Sequence, residues 1–439
     1  MRPIKALEAI EKSLKVSPAD IKKFIKNFHA EMRKGLAGSK GSLKMIPTYA
    51  ERPTGKEKGS FLALDLGGTN FRVLALRLRG NRKSHEPVSE KFTLKKTHMK
   101  TTGKMLFNFI ANSIRYFLKR RKMDIDGNYN TGFTFSFPVR QTAIDKGILM
   151  RWTKGFRAKG VEGRDVVGLM NAALKRKGLE NTQVVALAND TVSTLVAKSY
   201  EDQHCDVGVI LGTGTNACYS EKLSRIPKWK GLRTASGEMI INTEWGNFNK
   251  LKLTKYDKML DSSTVNPKEQ ILEKMVSGMY LGEVARLVAK DLINKKILFE
   301  GKKTRVFNKR MAFETKYMST IEGDISKNLS VIKALLKKLG IPGSAYTDRL
   351  LLQKICAAVS TRAARISAAA MASVITRMDP ALERKHTIAV DGSVFEKHPG
   401  FPTRIRAAFK EIFGKKAGRI KLSLTKDASG RGAAILAAI

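Results

Sequence analysis

A chain of 439 residues, 42% hydrophobic and 28% charged, has apolar material for two or three packed cores at roughly 150 residues per domain, and collagen-like, low-complexity and wholly disordered classes are excluded. Lysine and arginine total 82 against 39 acidic residues, a formal charge of +43. The three cysteines form no CxxC pair and the six histidines have neither HExxH nor HxxxH spacing, so a reducing compartment and no protein-built metal site are expected.

In chain order, the first forty residues predict short basic helices, with Leu14, Ile21, Phe24 and Phe28 set among lysines and Gly35, Gly38 and Gly41 breaking the pattern at its C-terminal end. Glu8 and Glu11 interrupt any signal-peptide core, the terminal LAAI matches no targeting signal, and no apolar run reaches the ~20 residues of a membrane span. A cytoplasmic location is the expectation. RPTGKEKGS, from Arg52 to Ser60, predicts a polar connector able to act as a hinge. Phe61–Leu64 then leads through Asp65 to the turn Gly67-Gly68-Thr69-Asn70, and Val73–Leu78 runs back, a hairpin. Leu106, Phe107, Ile110, Ile114, Phe117 and Leu118 recur at helical spacing, ending in the basic run Lys119–Lys122. Val184–Ala188 predicts a buried strand stopping at Asn189-Asp190, with a helix over Val192–Tyr200. Val207–Leu211 predicts a strand entering Gly212-Thr213-Gly214-Thr215. Leu272, Met275, Val276 and Met279 mark another helix, and Ile388–Val390 a strand ending in Asp391-Gly392-Ser393. Strands alternate with helices, the pattern of an α/β fold, and no internal sequence repeat is evident.

Three times an apolar strand empties into a turn of Gly, Thr or Ser and Asn or Asp: Asp65–Asn70, Gly212–Asn216 and Asp391–Ser393. Glycine permits positive φ and close approach of backbone N–H groups to an anion, and a carboxylate such as Asp65 can orient a magnesium-bound water. One such turn mostly just reverses a strand; three in order point to phosphate. Neither the GxxxxGK[ST] loop nor GxGxxG occurs in strand–helix context. Asp190, where a buried strand meets a helix, is placed to take a proton from a hydroxyl attacking a phosphoryl group. On spacing alone, capping of the helix by Asn189, Asp190 or Thr191 is the commoner role. Glu244 and Glu273, in apolar or aromatic surroundings, read alone as paired buried acids. With Ser136, Thr153, Lys154, Asn189 and Asn216 they supply the planar donors and acceptors a polyhydroxylated ligand needs to replace its lost water.

FLALDLGGTNFRVL, FTFSFPVRQTAIDKGILMRWTKGF, VVALANDTVSTLVAKSYED, LGTGTNACY, INTEWGNF, NPKEQILEKMVSGMYLGEV and VDGSVFEKHPGF resemble, in order, the characteristic blocks of the eukaryotic-type hexokinase family, over roughly nine-tenths of the chain. The resemblance implies a two-domain actin-like ATPase (ribonuclease H-like) α/β fold with the active site in the inter-domain cleft. It implies a small domain over 60–187 with a C-terminal return at 426–439, and a large domain over 188–425 joined by the N-terminal segment 1–59. It further implies Asp190 as general base toward a hexose 6-hydroxyl and Lys154 as the cation on the transferring phosphoryl group. Ser136, Thr153, Lys154, Asn189, Asp190, Asn216, Glu244 and Glu273 would hold the hexose. Asp65, Gly67, Gly68, Thr69, Asn70, Arg72, Gly212 and Thr213 would face the phosphates, and Gly392 and Ser393 the adenosine. Magnesium would arrive with ATP, bridged by water to Asp65 and Asp190.

The stretch from Asn247 to Lys258, NFNKLKLTKYDK, departs from the acidic character of the family there, as does the overall charge. A basic solvated surface is the plainer reading of +43, and non-specific anionic partners the sharper one. A catalytically weak hexose sensor and a basic nucleic-acid-binding scaffold are the rival functions; intact Lys154 and Asp190 speak against the first, and the lack of aromatic-interleaved basic motifs against the second. Monomer and homodimer are both compatible with the sequence.

Overall fold

Strands with continuous apolar runs must be covered on both faces, and here they sort into two six-stranded sheets. The computed structural model describes residues 2–68, 70–302 and 304–439. In the first sheet Lys58–Leu66 pairs antiparallel with Asn70–Gly80, which pairs antiparallel with Val88–Thr93. On its other side Lys58–Leu66 runs parallel to Tyr129–Phe135, and that strand parallel to Thr182–Ala188. The second sheet repeats the plan. Cys205–Leu211, Thr215–Lys222 and Glu238–Asn242 form the antiparallel run, and His386–Asp391 and Ile420–Leu424 the parallel pair. Setting aside one two-residue strand in each, Lys83–Ser84 in the first sheet and Ile46–Pro47 in the second, each sheet orders its five main strands by sequence as third, second, first, fourth, fifth. The duplication is one of topology, invisible in the residues because pairing is made by backbone.

The central strands are fully covered: Leu62, Ala63 and Leu64 in one sheet and Val207, Val209 and Leu211 in the other are 0% exposed. Helix Gly103–Arg120 covers the first sheet with the six apolar residues of its predicted stripe, all buried, and starts at Thr102, whose hydroxyl accepts the Met105 amide hydrogen. Such a cap contributes about 1 kcal/mol. The opposite face carries helix Ala428–Leu436, seated so closely that a Cβ on Gly132 would lie 1.8 Å from the Ala433 carbonyl oxygen. The same helix crosses Asp190–Glu201 at Gly432, where a Cβ would lie 1.9 Å from the Ser193 carbonyl oxygen. Asp190–Glu201 in turn rests on the second sheet at Gly208, 2.8 Å from the Thr191 carbonyl by the same measure. One helix therefore links both sheets, and glycines set its distance from each neighbour.

The second core is built around the 33-residue helix Tyr346–Met378, alanine-rich and buried over most of its circumference. The basic N-terminal helices, Arg2–Leu14 and Pro18–Leu36, pack against this core. Phe24 and Phe28 both meet Phe248 at 4.9 Å between ring centroids. Two expectations change. Met279 is not part of its expected helix, which ends at Val276, and is 51% exposed, because the chain turns away to let the Gly278 amide donate to the Gly212 carbonyl (2.8 Å). The connector is also shorter than Arg52–Ser60, since Lys58 already begins a strand. Arg82 ties it down, donating to the carbonyls of Thr54 (3.0 Å), Ser199 (3.0 Å) and Tyr200 (3.3 Å).

Candidate active site

Strand Thr182–Ala188 delivers Asn189 to the start of helix Asp190–Glu201, and the Asn189 Oδ1 accepts the Val192 amide hydrogen at 2.9 Å. The capping role falls to Asn189. Asp190, the first helical residue, keeps its carboxylate on a cleft of about 1010 Å³ and accepts the Thr191 hydroxyl at 3.2 Å. A negative charge there is favoured by the helix N-terminus, by roughly 0.3–1 kcal/mol.

The cleft brings together residues distant in sequence. Ser136, Phe137 and Lys154 come from the first-sheet side, Asn189 and Asp190 from the junction, and Thr213, Asn216, Glu244 and Glu273 from the second-sheet side. Asn216 Nδ2 donates to Asn242 Oδ1 (2.8 Å) and Glu244 Oε1 (3.2 Å), and Asn242 Nδ2 donates to Glu244 Oε1 (2.9 Å). Glu273 Oε2 accepts the Thr215 amide hydrogen at 2.9 Å, and a Cβ on Gly214 would lie 2.7 Å from that oxygen. Burial pushes the Glu273 carboxyl above its ordinary range; the Thr215 amide opposes the rise and the Glu244 charge adds to it. The wall is stiffened by Trp245, 1% exposed, whose indole donates to the Thr215 hydroxyl at 2.9 Å.

Lys154 and Glu244 both hold left-handed backbone, φ 54° and 53°, as does their cleft neighbour Gln270 at 52°. Each costs about 1–3 kcal/mol, so the surroundings must dictate these conformations. Lys154 Nζ lies 5.4 Å from the Phe137 ring centroid. Its side chain opens on the cleft, yet the walls draw its pKa below the usual lysine range by desolvation, against the opposing charges of Asp190 and Asp65. Asp65 is raised, chiefly by burial; its Oδ2 accepts the Ser429 hydroxyl (2.7 Å), while Arg72 and Lys154 lower it and Asp190 raises it. Asp65 and Asp190 thus feel each other's charge, with Lys154 acting on both and Arg72 on Asp65.

Of the two reasons for glycine in these turns, positive φ and close approach to the backbone, the first applies at Gly392 only among the assigned glycines. Gly67, Gly68 and Gly212 are not among the positive-φ residues; of the turn glycines assigned to phosphate or adenosine, only Gly392 is, at φ 123°. Their value lies in clearance. Among the described residues a Cβ on Gly68 meets nothing within 4 Å, and one on Gly67 only the Ser136 hydroxyl at 4.0 Å. Gly392, Gly212 and Gly278 instead pack backbone on backbone: a Cβ on Gly392 would lie 2.4 Å from the Leu211 carbonyl, and one on Gly278 2.9 Å from the Gly212 oxygen. Thr69 lies outside the described residues, and of Asn70 only the backbone, opening the return strand, is described. Arg72 donates to Asp427 at 2.9 Å, and its buried Nε has no partner among the described residues. Thr213 also borders a second cavity of about 400 Å³, which Ser393, Thr315 and Ser319 line.

A hexokinase family model matches residues 6–200 and another matches 206–439. Hexokinase-1 of Arabidopsis thaliana is 39% identical over 455 aligned positions, covering 100% of this chain and 91% of the plant protein. The chain belongs to the hexokinase family. Human Hexokinase-3 is 40% identical over 93% of the chain, but the match takes in only 44% of the human protein; the chain spans less than half the length of the mammalian relatives it matches. Among solved structures, a Schistosoma mansoni hexokinase complexed with glucose superposes with a TM-score of 0.85 at 36% identity, over 99% of both chains. A further hexokinase crystal structure reaches 0.89 at 31% identity, again over 99% of both. The superpositions agree with the two-domain actin-like α/β architecture expected for this chain.

Within this hexokinase framework, one cleft gathers Ser136, Lys154, Asn189, Asp190, Asn216, Glu244 and Glu273. Thr153 does not line it; its carbonyl accepts the Phe156 amide hydrogen at 3.0 Å in the turn that presents Lys154. Sequence reasoning missed Gln270 and Asn242, which line the cleft three residues before Glu273 and two before Glu244. Their place in the same sequence blocks was the available signal. Thr315 and Ser319, one helical turn apart, had none, because no glycine turn or strand end marks them.

Proposed function

We propose that the chain is an ATP-dependent hexokinase, transferring the γ-phosphoryl group of MgATP to the 6-hydroxyl of a hexose, glucose foremost. The observation that carries this reading is the single cleft holding Asp190, Lys154 and a ring of amides and carboxylates. Asn189, Asn216, Glu244 and Glu273 would take the sugar hydroxyls, with Ser136 from the other lobe; Thr153, outside the cleft lining here, would reach the sugar only on closure. Asp190 would accept the 6-hydroxyl proton as the oxygen bonds to the γ-phosphorus and the bond to the β-phosphate oxygen breaks, releasing ADP. Lys154 would balance charge on the transferring group. Gly67, Gly68, Thr69, Asn70, Arg72, Gly212 and Thr213 would flank the phosphates, with Gly392 and Ser393 toward the adenosine and the second cavity. Magnesium, brought by ATP, fits beside Asp65 and Asp190, whose paired negative charge it would offset.

The catalytic division is proposed as 60–187 with 426–439 facing 188–425 with 1–59, closing on hexose so that water is not phosphorylated. The enzyme is taken to act in a reducing cytoplasm, consistent with Cys205, Cys218 and Cys356 all being free and buried, as a monomer or homodimer. A coupled assay over glucose, fructose, mannose and galactose with ATP and Mg²⁺ tests the activity. Asp190→Ala should lower kcat by about 10²–10⁴-fold while hexose still binds; near-normal turnover would remove Asp190 from the role of base.

A further inference from the structure

Away from the cleft, a cavity of about 560 Å³ opens between the turn joining the two N-terminal helices, residues 249–254 and the long helix Tyr346–Met378. Its floor is apolar: Leu14, Ile21, Phe24, Met275 and Ile366 line it, each no more than 6% exposed. Its rim is cationic, with Lys15, Lys23, Lys250 and Lys252 all exposed. None of these four makes a salt bridge among the described residues, whereas Lys255 just beyond pairs with Asp291 at 2.8 Å. The lining carboxylate, Asp20, stays charged, held by the amide and hydroxyl of Ser17 at 2.9 and 2.7 Å and by the nearby charges of Lys252 and Lys23, so it offsets one of the four lysines. Arg362, also in the lining, is neutralised by Asp257 through two bonds of 2.8 and 2.9 Å. An apolar hollow under a rim of four lysines and one aspartate, net positive, selects a molecule with an oily body and an anionic end. Two of the four lysines, Lys250 and Lys252, lie in the stretch that departs from the family pattern.

The cavity also shares an element with the cleft. Helix Ile271–Val276 turns Met275 into the cavity and Glu273 into the cleft. We propose that this cavity binds a single-chain fatty acyl carboxylate, and that its occupancy is coupled to hexose affinity through helix Ile271–Val276. The coupling rests on the hexokinase reading above; the binding does not.

The test is titration calorimetry of the full chain with sodium dodecanoate below its micellar concentration at physiological ionic strength, beside acetate and uncharged dodecanol. Saturable one-to-one binding of dodecanoate alone is expected, weakened about tenfold by Lys250→Glu with Lys252→Glu. The distant exposed pair Lys337→Glu with Lys338→Glu changes net charge equally and should leave affinity intact. No saturable binding, equal binding of dodecanol, or equal loss in both double variants would overturn the site. So would binding confined to phosphatidylserine vesicles, which would indicate a membrane surface instead. Glucose affinity, read from Trp245 fluorescence, should shift about fivefold with dodecanoate bound, and dodecanoate affinity by the same factor with glucose bound. Normal glucose binding with no such shift overturns the coupling; absent glucose binding in the free protein overturns the hexokinase reading instead.

Discussion

Asp190 and Asn189 show how neighbouring residues divide two tasks that the sequence leaves undivided. Both are helix-capping types, and only the observed bond from the Val192 amide to Asn189 frees Asp190 for the cleft. Lys154 carries a sharper consequence. Because burial depresses its pKa, it loses its charge at lower pH than an ordinary lysine, and activity that needs the cation should fall on the alkaline side before the usual ~10.4. Lys154→Arg should remove that alkaline limb from the kcat/KM profile, since guanidinium does not titrate there; an unchanged limb would assign it to another group. His386 offers a test of stability. It is 1% exposed, with Nδ1 2.8 Å from Asp206 and Nε2 3.2 Å from Asp379. Burial opposes its charge, but the bonds to the two aspartates win and raise its pKa above 6.5. Its contribution is therefore complete below 6.5 and disappears as pH rises through the raised value. The difference in urea unfolding free energy between wild type and His386→Gln should be largest near pH 6 and shrink by about pH 9.

Strands and helices were the most legible level. The hairpin at Asp65, the amphipathic helix over 103–120 and the strand before Asp190 are all dictated by apolar period and punctuation. The spacing between elements stayed hidden. Gly432 looks idle in SGRGAAIL, yet it is where two helices meet with no room for a methyl group. Gly432→Ala should destabilise the fold by about 1–3 kcal/mol or more, a loss measurable by thermal or urea unfolding, whereas Gly414→Ala, in open space but at φ 57°, should cost only backbone strain. Positive φ does not explain Gly67 and Gly68, around which the described residues leave a Cβ unobstructed, and no propensity records such clearance.

At the scale of the molecule, the fold class was legible because seven blocks match a family in order, while the topological duplication of the two sheets was not. The +43 charge acts over the whole surface rather than at one site. Self-repulsion of this size should be relieved by salt, and the same field should draw MgATP toward the cleft. Raising ionic strength from ~0.01 to ~0.15 M shortens the screening length from about 30 to about 8 Å, so the melting temperature should rise while kcat/KM for MgATP falls. A kcat/KM indifferent to salt would mean that the charge plays no part in nucleotide capture.

Helix Asp190–Glu201 is held at both ends and in the middle: Arg82 grips its last carbonyls, Gly432 abuts Ser193, and Gly208 sits beneath Thr191. Ser193 is only one turn from Asp190. The aspartate is thus anchored like a post set in masonry, whereas Lys154 stands on a short glycine-flanked bend. In the closure proposed above, a helix tied to both lobes is the fixed part of the motion, so Asp190 keeps its place while the walls around it move.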